Sequence, residues 1–427
     1  MIADLTLSRR ALLRSGALAG AGALLPGAAL PGAPRAAPAW PHVDRLVTGY
    51  VEQGRLPGMV AMLGMGSDPA QVIARGAAGK GDALPMSADS LFRIYSMTKP
   101  ITGMAAMMLV DAGRLALDQP VADILPRYAR MQVLRNPDGP LDGVDPARAP
   151  ITIRHLLTHT GGLGYTIVQK GPLKAAYEAA GLVPARVSRV PVPDLDTLHP
   201  APSLAAFADR LADMPLMAQP GTRWSYSVGL DLLGRVIEVV SGQPFDRFLH
   251  DRLFGPAGMT STWFQVPSSA APRLTTNYGY FGGRSLPLDP ARTSIYLDPP
   301  AFPFGGAGLV SSPRDYDRFL SMLLNEGRLG RTRVMSAAAV RLGTSNLVPP
   351  GVDMSALFGP PAGFGAGGRV GLGEDAGTFG WSGAAGTIGF ISTRKSLRAG
   401  LYVQFMPFDA FPVQNEFPEA VKADILR

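Results

Sequence analysis

The chain has 427 residues, of which 46% are hydrophobic and 17% charged, with a net charge of +7 at pH 7 and no cysteine. That length can bury one large core or two smaller ones, while the lack of cysteine excludes disulfides, thiol nucleophiles and cysteine-ligated metals. The cations are spread out, without the basic and aromatic cluster that nucleic-acid binding favours, and no apolar run reaches the ~20 residues of a membrane span.

In chain order, the first feature is an address. Ser8-Arg9-Arg10-Ala11-Leu12-Leu13-Arg14 carries paired arginines, and a weakly apolar stretch runs from Ser15 to Leu30. Ala37-Pro38-Ala39 then offers a small-residue cleavage site before Trp40. Residues 1–39 therefore read as a twin-arginine export signal, which sends a folded protein to the periplasm or the medium. The mature chain would then begin at Trp40, with no membrane span left.

Residues 41–56 show helical periodicity that ends near Gly54. Met59–Met65 and Gln71–Ala74 read as a strand pair. Next comes Ser96-Met97-Thr98-Lys99 at the head of an apolar helix that stops around Asp111 to Gly113. Residues 131–152 and 182–202 are rich in Pro, Asp and Gly and read as surface excursions. Between them lies Ile151 to Leu163, a short helix closed by a glycine turn. Ser203–Leu211 reads as a helix capped by Ser203. Tyr226-Ser227-Val228 leads into an apolar helix over Gly229–Val240, and another helix covers Pro244–Leu253. Residues 265–310 read as loop, with Tyr278, Tyr280 and Tyr296 available to line a pocket. Asp315–Leu324 is helical, and residues 350–378 are dominated by Gly and Pro. Strands are expected at Thr387–Thr393 and Ala399–Met406, and a last helix over Pro418–Leu426. Short strands at both ends with helices between them imply an α+β fold whose terminal strands share one sheet.

Ser96 and Lys99 are three apart, so on a helix they share a face. A hydroxyl and an amine held together can act as nucleophile and base, and lysine, unlike arginine, can give up its proton when desolvated. On these residues alone, a helix-start serine beside a surface lysine remains equally open. A second Ser-x-x-Lys match, Ser392 to Lys395, falls at a strand end, where residues three apart face opposite ways. It reads as chance.

Other signatures fail. Gly-x-Ser-x-Gly and His-Glu-x-x-His are both missing. His155 and His159 lie four apart without a carboxylate and read as structural, so no metal or other cofactor is expected. Gly363-Phe364-Gly365-Ala366-Gly367-Gly368 matches a dinucleotide fingerprint in letters but follows two prolines rather than a strand. Tyr226 could relay a proton or be a buried structural tyrosine. Gly383 could let a ligand approach the backbone, with nearby N–H groups available for an oxyanion, or could mark a tight turn.

Taken in order, Ser96-x-x-Lys99, Tyr226-Ser227-Val228 and Trp381-Ser382-Gly383 resemble the serine β-lactamase and penicillin-binding-protein superfamily. Within it, the chain is most similar to the class C-related esterases called family VIII carboxylesterases. Leu156-Leu157-Thr158-His159-Thr160-Gly161-Gly162-Leu163, Tyr226 to Glu238, Gly306 to Ser312 and Phe379 to Thr387 also look like family segments. The resemblance spans roughly residues 41–407. It implies a β-lactamase/transpeptidase-like fold in residues 40–427: an antiparallel sheet formed by both chain ends, flanked by helices, with an inserted, mostly helical lobe roughly within 115–330. By position, Ser96 would be the nucleophile, Lys99 its base and Tyr226 the relay that protonates the leaving alkoxide. The N–H groups of Ser96 and Ala384 would form the oxyanion hole, and Val228, Trp381, Ser382 and Gly383 would meet the substrate.

Two departures bear on that substrate. Val228 stands where many penicillin-recognising members have asparagine, and Trp381 stands where they have the lysine of Lys-Thr-Gly. Valine cannot bond an acyl-amide side chain, and tryptophan replaces a cation with an apolar wall. The expectation is a small-molecule ester with a short or uncharged acyl group, cleaved through an acyl-enzyme. The alternatives on the same scaffold are a weak β-lactamase, a D-amino-acid peptidase or an amidase. A non-catalytic cell-wall-binding relative is the alternative of another class.

Overall fold

Both ends of the chain enter one antiparallel sheet. In the computed structural model, which describes residues 40–184, 187–189, 199–281, 283–354 and 362–426, its strands are β1 (Gly58–Met65), β2 (Gln71–Gly76), β3 (Ala362–Phe364), β4 (Arg369–Gly371), β5 (Thr378–Ser382), β6 (Ile388–Ser392) and β7 (Leu397–Tyr402). Their spatial order is β3-β4-β5-β6-β7-β1-β2. The ends of the chain meet where β1 pairs with β7, Val60 opposite Tyr402 and Met65 opposite Leu397. The expected export signal lies outside the described residues.

β1 reads Gly-Met-Val-Ala-Met-Leu-Gly-Met, without the polar alternation of a half-exposed strand, because helices cover both faces of the sheet. On the outer face, Met59, Ala61 and Leu63 pack with Leu397, Ala399 and Leu401 under the helices Pro41–Glu52 and Val413–Ile425. The Asp424 carboxylate accepts from the backbone N–H groups of His42 (3.0 Å) and Val43 (3.1 Å), so the last helix caps the first, which has no side-chain cap from its own Ncap residue. On the inner face, Val60, Met62, Ile391 and Tyr402 share the main core with the helices Thr98–Asp111 and Pro313–Leu324.

The inserted lobe is mostly helical, with helices at Ile153–Leu157, Gly171–Ala179, Leu204–Ala212, Gly229–Ser241 and Phe245–Leu249. Ser203 caps its helix as expected, accepting from the Ala206 N–H. The helix Gly229–Ser241 buries Leu230, Leu233, Val236 and Ile237 and ends at Gly242 with φ +73°. It packs against Thr98–Asp111, which joins the lobe to the sheet.

Several expectations need correction. Residues 265–310 are not all loop: Asn277–Phe281 and Arg284–Asp289 form a hairpin. The tyrosines of this region are used in packing. Tyr278 OH accepts from the Lys80 N–H, Tyr280 OH donates to Arg55 O, and Tyr296 is buried beside Tyr95. The expected strand Ala399–Met406 divides, because Phe405–Met406 leaves the sheet to pair with that hairpin. The last helix starts at Val413, with Pro418 inside it. The glycine run 363–368 is a hairpin between β3 and β4, so a strand and not a helix follows it. Two short strands, Gln132–Leu134 and Val144–Pro146, pair within the first expected excursion. All these strands are short and lie among Gly, Pro and Asp, so periodicity has little to act on.

Candidate active site

Ser96 lies in a 3₁₀ turn, Tyr95–Met97, which runs directly into the helix Thr98–Asp111. Pro100 sits in the first turn of that helix, where a missing N–H is tolerated. Tyr95 adopts φ +40°, an uncommon conformation for a bulky residue. It is held from several sides. Asn277 Nδ2 donates to its hydroxyl (3.4 Å), and its ring meets Tyr296 edge-on. The preceding Arg93 is fully buried, pairing with Asp289 at 2.6 Å and donating to Thr275 O and Ser294 Oγ. The turn that presents Ser96 therefore rests on a rigid polar support.

Three side chains converge here. Lys99 Nζ donates to Ser96 Oγ at 3.3 Å and to Gly306 O at 2.7 Å, and its side chain is fully buried. Tyr226 OH donates to Ser96 Oγ at 2.8 Å. Trp381 Nε1 donates to Tyr226 OH at 3.3 Å. Lys99 Nζ also lies 4.5 Å from the Tyr226 ring centroid and 5.5 Å from that of Tyr165, within cation–π range. Ser96, Tyr226, Trp381, Ser382 and Ala384 are all half-buried, so the cluster is open on one side. Two donors aimed at one serine oxygen favour negative charge on that oxygen.

The end of β5 closes against this turn. A Cβ on Gly383 would stand 2.4 Å from Ile94 O and 2.3 Å from Thr387 Oγ1. The close approach at Gly383 is thus to the protein's own backbone, just before Ser96, and Gly386 N donating to Gly383 O gives the tight turn that is the other reading of this glycine. Gly383 N donates to Thr387 O, and Gln414 Nε2 donates to both Gly383 O and Thr387 O. Ala384 packs beside Tyr95. Val228 requires a correction: its side chain is fully buried in the main core, so it offers no surface to a substrate. Ser392 ends β6 and Lys395 is exposed in the following turn, with no hydrogen bond between them among the described residues. A groove of about 680 Å³ between β5, β6 and the last helix is lined by Ser392 and Lys395, but not by Ser96, Lys99 or Tyr226.

Sequence reasoning misses two partners. The first is Asp231, fully buried in the first turn of the helix after Tyr226, whose Oδ1 accepts from Gly306 N at 2.8 Å. Burial pushes its carboxyl up to about 6, opposed by the Lys99 charge and the Gly306 N–H. The second is the pair Trp224 and Phe364, whose rings join Trp381, itself expected as a wall, in one aromatic cluster with Tyr226. A signal exists for Asp231, since an aspartate interrupts an otherwise apolar helical face.

His159 is structural, as expected. Ser227 N donates to its Nδ1 at 3.2 Å, which leaves the neutral ring's proton on Nε2. Burial, then the Lys99 charge, hold the imidazole well below its usual range. A base depressed in the folded state binds fewer protons there than when unfolded. Its contribution is present above the ordinary pKa of about 6.5 and is lost as pH falls. Asp231 acts oppositely, its contribution fading as pH rises through about 6. His159→Asn keeps an acceptor for Ser227 and tolerates the left-handed φ of +57°. Thermal melts from pH 7 to pH 5 should lose less Tm in this variant than in wild type. Equal losses would remove His159 as the source.

A family model described as Beta-lactamase matches residues 43–418. Protein Rv1367c of Mycobacterium tuberculosis is 36% identical over 354 residues, covering 79% of this chain and 82% of its own length. Esterase EstB of Burkholderia gladioli is 31% identical over 376 residues, covering 83% and 88%. Among solved structures, EstCE1, a hydrolase with promiscuous acyltransferase activity, superposes with a TM-score of 0.73 at 25% identity, covering 90% of this chain and 97% of that one.

Proposed function

Because the chain belongs to the beta-lactamase family and is a carboxylesterase-like serine hydrolase within it, we propose that it cleaves uncharged carboxylic esters through an acyl-enzyme on Ser96. The observation that carries this reading is the convergence on Ser96 Oγ of Lys99 Nζ at 3.3 Å and Tyr226 OH at 2.8 Å, from separate segments of the chain. In the proposed reaction, the neutral amine of Lys99 takes the Ser96 hydroxyl proton as Oγ bonds to the ester carbonyl carbon. The N–H groups of Ser96 and Ala384 receive the oxyanion. The carbonyl re-forms, the ester C–O bond breaks, and Tyr226 passes its proton to the departing alkoxide as it takes back the one held on Lys99. Water then bonds to the acyl carbon as Lys99 takes its proton, the bond to Ser96 Oγ breaks, and that proton returns to Oγ as the carboxylic acid leaves.

The substrate reading rests on the walls of the site. Trp381, half-buried beside Tyr226, is the aromatic surface the site presents, and the buried rings of Trp224 and Phe364 back it. That surface favours an apolar acyl or alcohol group over a carboxylate. Residues 1–39 are proposed as a twin-arginine signal, so that the enzyme acts outside the cytoplasm. Sequencing the N-terminus of protein recovered from the periplasm or medium tests this, and an intact residue 1 there would overturn it.

The decisive experiment is labelling with a fluorophosphonate followed by peptide mass mapping. A single adduct on Ser96 is expected. An adduct on Ser392, or none, would overturn the site. Parallel assays with p-nitrophenyl butyrate and a chromogenic cephalosporin test the substrate class. Faster cephalosporin turnover would replace the esterase reading with a β-lactamase one.

A further inference from the structure

Lys99 does not meet Ser96 unaided. Its Nζ is tethered to Gly306 O at 2.7 Å, and one helical turn later Thr102 Oγ1 donates to Gly305 O at 2.7 Å. Two side chains of the Lys99 helix thus grip adjacent carbonyls of one buried segment. That segment is fixed from its other side by Asp231, whose Oδ1 accepts from Gly306 N at 2.8 Å. The fit is close: a Cβ on Gly306 would lie 2.5 Å from Asp231 Oδ2. Asp231 belongs to the helix Gly229–Ser241, which follows Tyr226 almost directly. One carboxylate therefore ties the segment that receives Lys99 to the helix that follows Tyr226.

A buried carboxylate is costly unless it is paired and hydrogen-bonded. No step of the proposed reaction consumes or releases a proton at Asp231, so its presence calls for another role. We propose that Asp231 is a positioning residue for the Ser96–Lys99 pair: acting through Gly306, it holds Lys99 Nζ at Ser96 Oγ and supplies the negative charge against which the amine exchanges its proton. This inference rests on the acyl-enzyme reading. Lys99 and Tyr165 are the titratable groups that interact with Asp231, and His159 and Tyr226 face Lys99 in turn. His159 stays neutral across the working range for the reason given above.

Asp231→Asn keeps an oxygen for Gly306 N but removes the charge, and Asp231→Ala removes both. The measurements are kcat, KM and the pH profile of p-nitrophenyl butyrate hydrolysis, each per folded molecule as judged by near-ultraviolet circular dichroism. Asp231→Ala should lose roughly 10²-fold in kcat with little change in KM, as expected for a misplaced reacting group. Asp231→Asn should lose less, and its profile should lack the acid limb that protonation of the Asp231 carboxylate, pushed up to about 6 by burial, gives wild type. Wild-type kcat and pH profile in both variants, or losses that match the unfolded fraction, would overturn the inference. Fluorophosphonate mapping of wild type separates the two readings. With Ser96 labelled and the variants unchanged, only the role of Asp231 falls. With Ser96 unlabelled, the acyl-enzyme reading falls and takes this inference with it.

Discussion

Ser96→Ala and Lys99→Met are each expected to lower kcat by roughly 10³–10⁴-fold, and the double variant to lose little more than either one. The reason is that in the proposed reaction the two groups act as one unit. Without Oγ there is no nucleophile for the amine to activate. Without the amine, the hydroxyl keeps its proton and remains a weak nucleophile. Lys99→Arg should not rescue the loss, because a guanidinium stays charged and cannot accept a proton. Its planar fork would also have to fit where Lys99 is fully buried and bonded to Gly306 O. Steady-state rates on p-nitrophenyl butyrate measure this directly. Losses that multiply in the double variant would mean that Ser96 and Lys99 act separately, and a Lys99→Arg variant near the wild-type rate would remove the base assignment. The fold should survive Lys99→Met, since methionine is similar in length and apolar, and the nearby Met97, Ile101 and Met104 are core residues.

Much of this site is legible in the sequence. The spacing of Ser96 and Lys99 is a helical property, and it survives although Ser96 lies in a 3₁₀ turn rather than in the helix itself. Tyr226 is legible as a residue at a helix entrance, because the apolar period of Gly229–Ser241 is strong. The sheet is legible only in part. β1, β6 and β7 are apolar and several residues long, whereas β3 and β4 are three-residue strands within a glycine-rich run. Contacts between distant segments are out of reach. Nothing local to Asp231 says that Gly306 will meet it, nor does Gly383 announce Ile94. Trp381 reads as a wall that replaces a cation, and its donor role toward Tyr226 depends on an indole orientation that only the packed β5 supplies. The expectation for Val228 fails for a related reason. A position beside the site in sequence need not face the site, because the first residues of a helix turn through successive directions.

Tyr226→Phe should separate leaving groups. The Tyr226 hydroxyl donates to Ser96 Oγ at 2.8 Å and accepts from Trp381 Nε1 at 3.3 Å. The indole N–H therefore holds the phenol oxygen and stabilises the negative charge that forms there when the proton is passed on. The ring itself is fixed by Trp224, stacked with centroids 6.1 Å apart, so phenylalanine should occupy the same place. What is lost is the proton. With an alkyl ester, the departing alkoxide is strongly basic and needs that proton in the transition state. The expected loss in kcat is about 10²–10⁴-fold, the range of general acid catalysis. A p-nitrophenyl ester leaves as a stabilised phenolate, and its loss should be smaller by at least about tenfold. Trp381→Phe keeps the wall but removes the donor, so it should show the same leaving-group bias with a smaller loss. If Tyr226→Phe slowed both esters equally, Tyr226 would be orienting Ser96 rather than relaying a proton. If neither ester slowed, it would have no part in the reaction, and the leaving alcohol would have to draw its proton from Lys99, which holds the one abstracted from Ser96 in the step before.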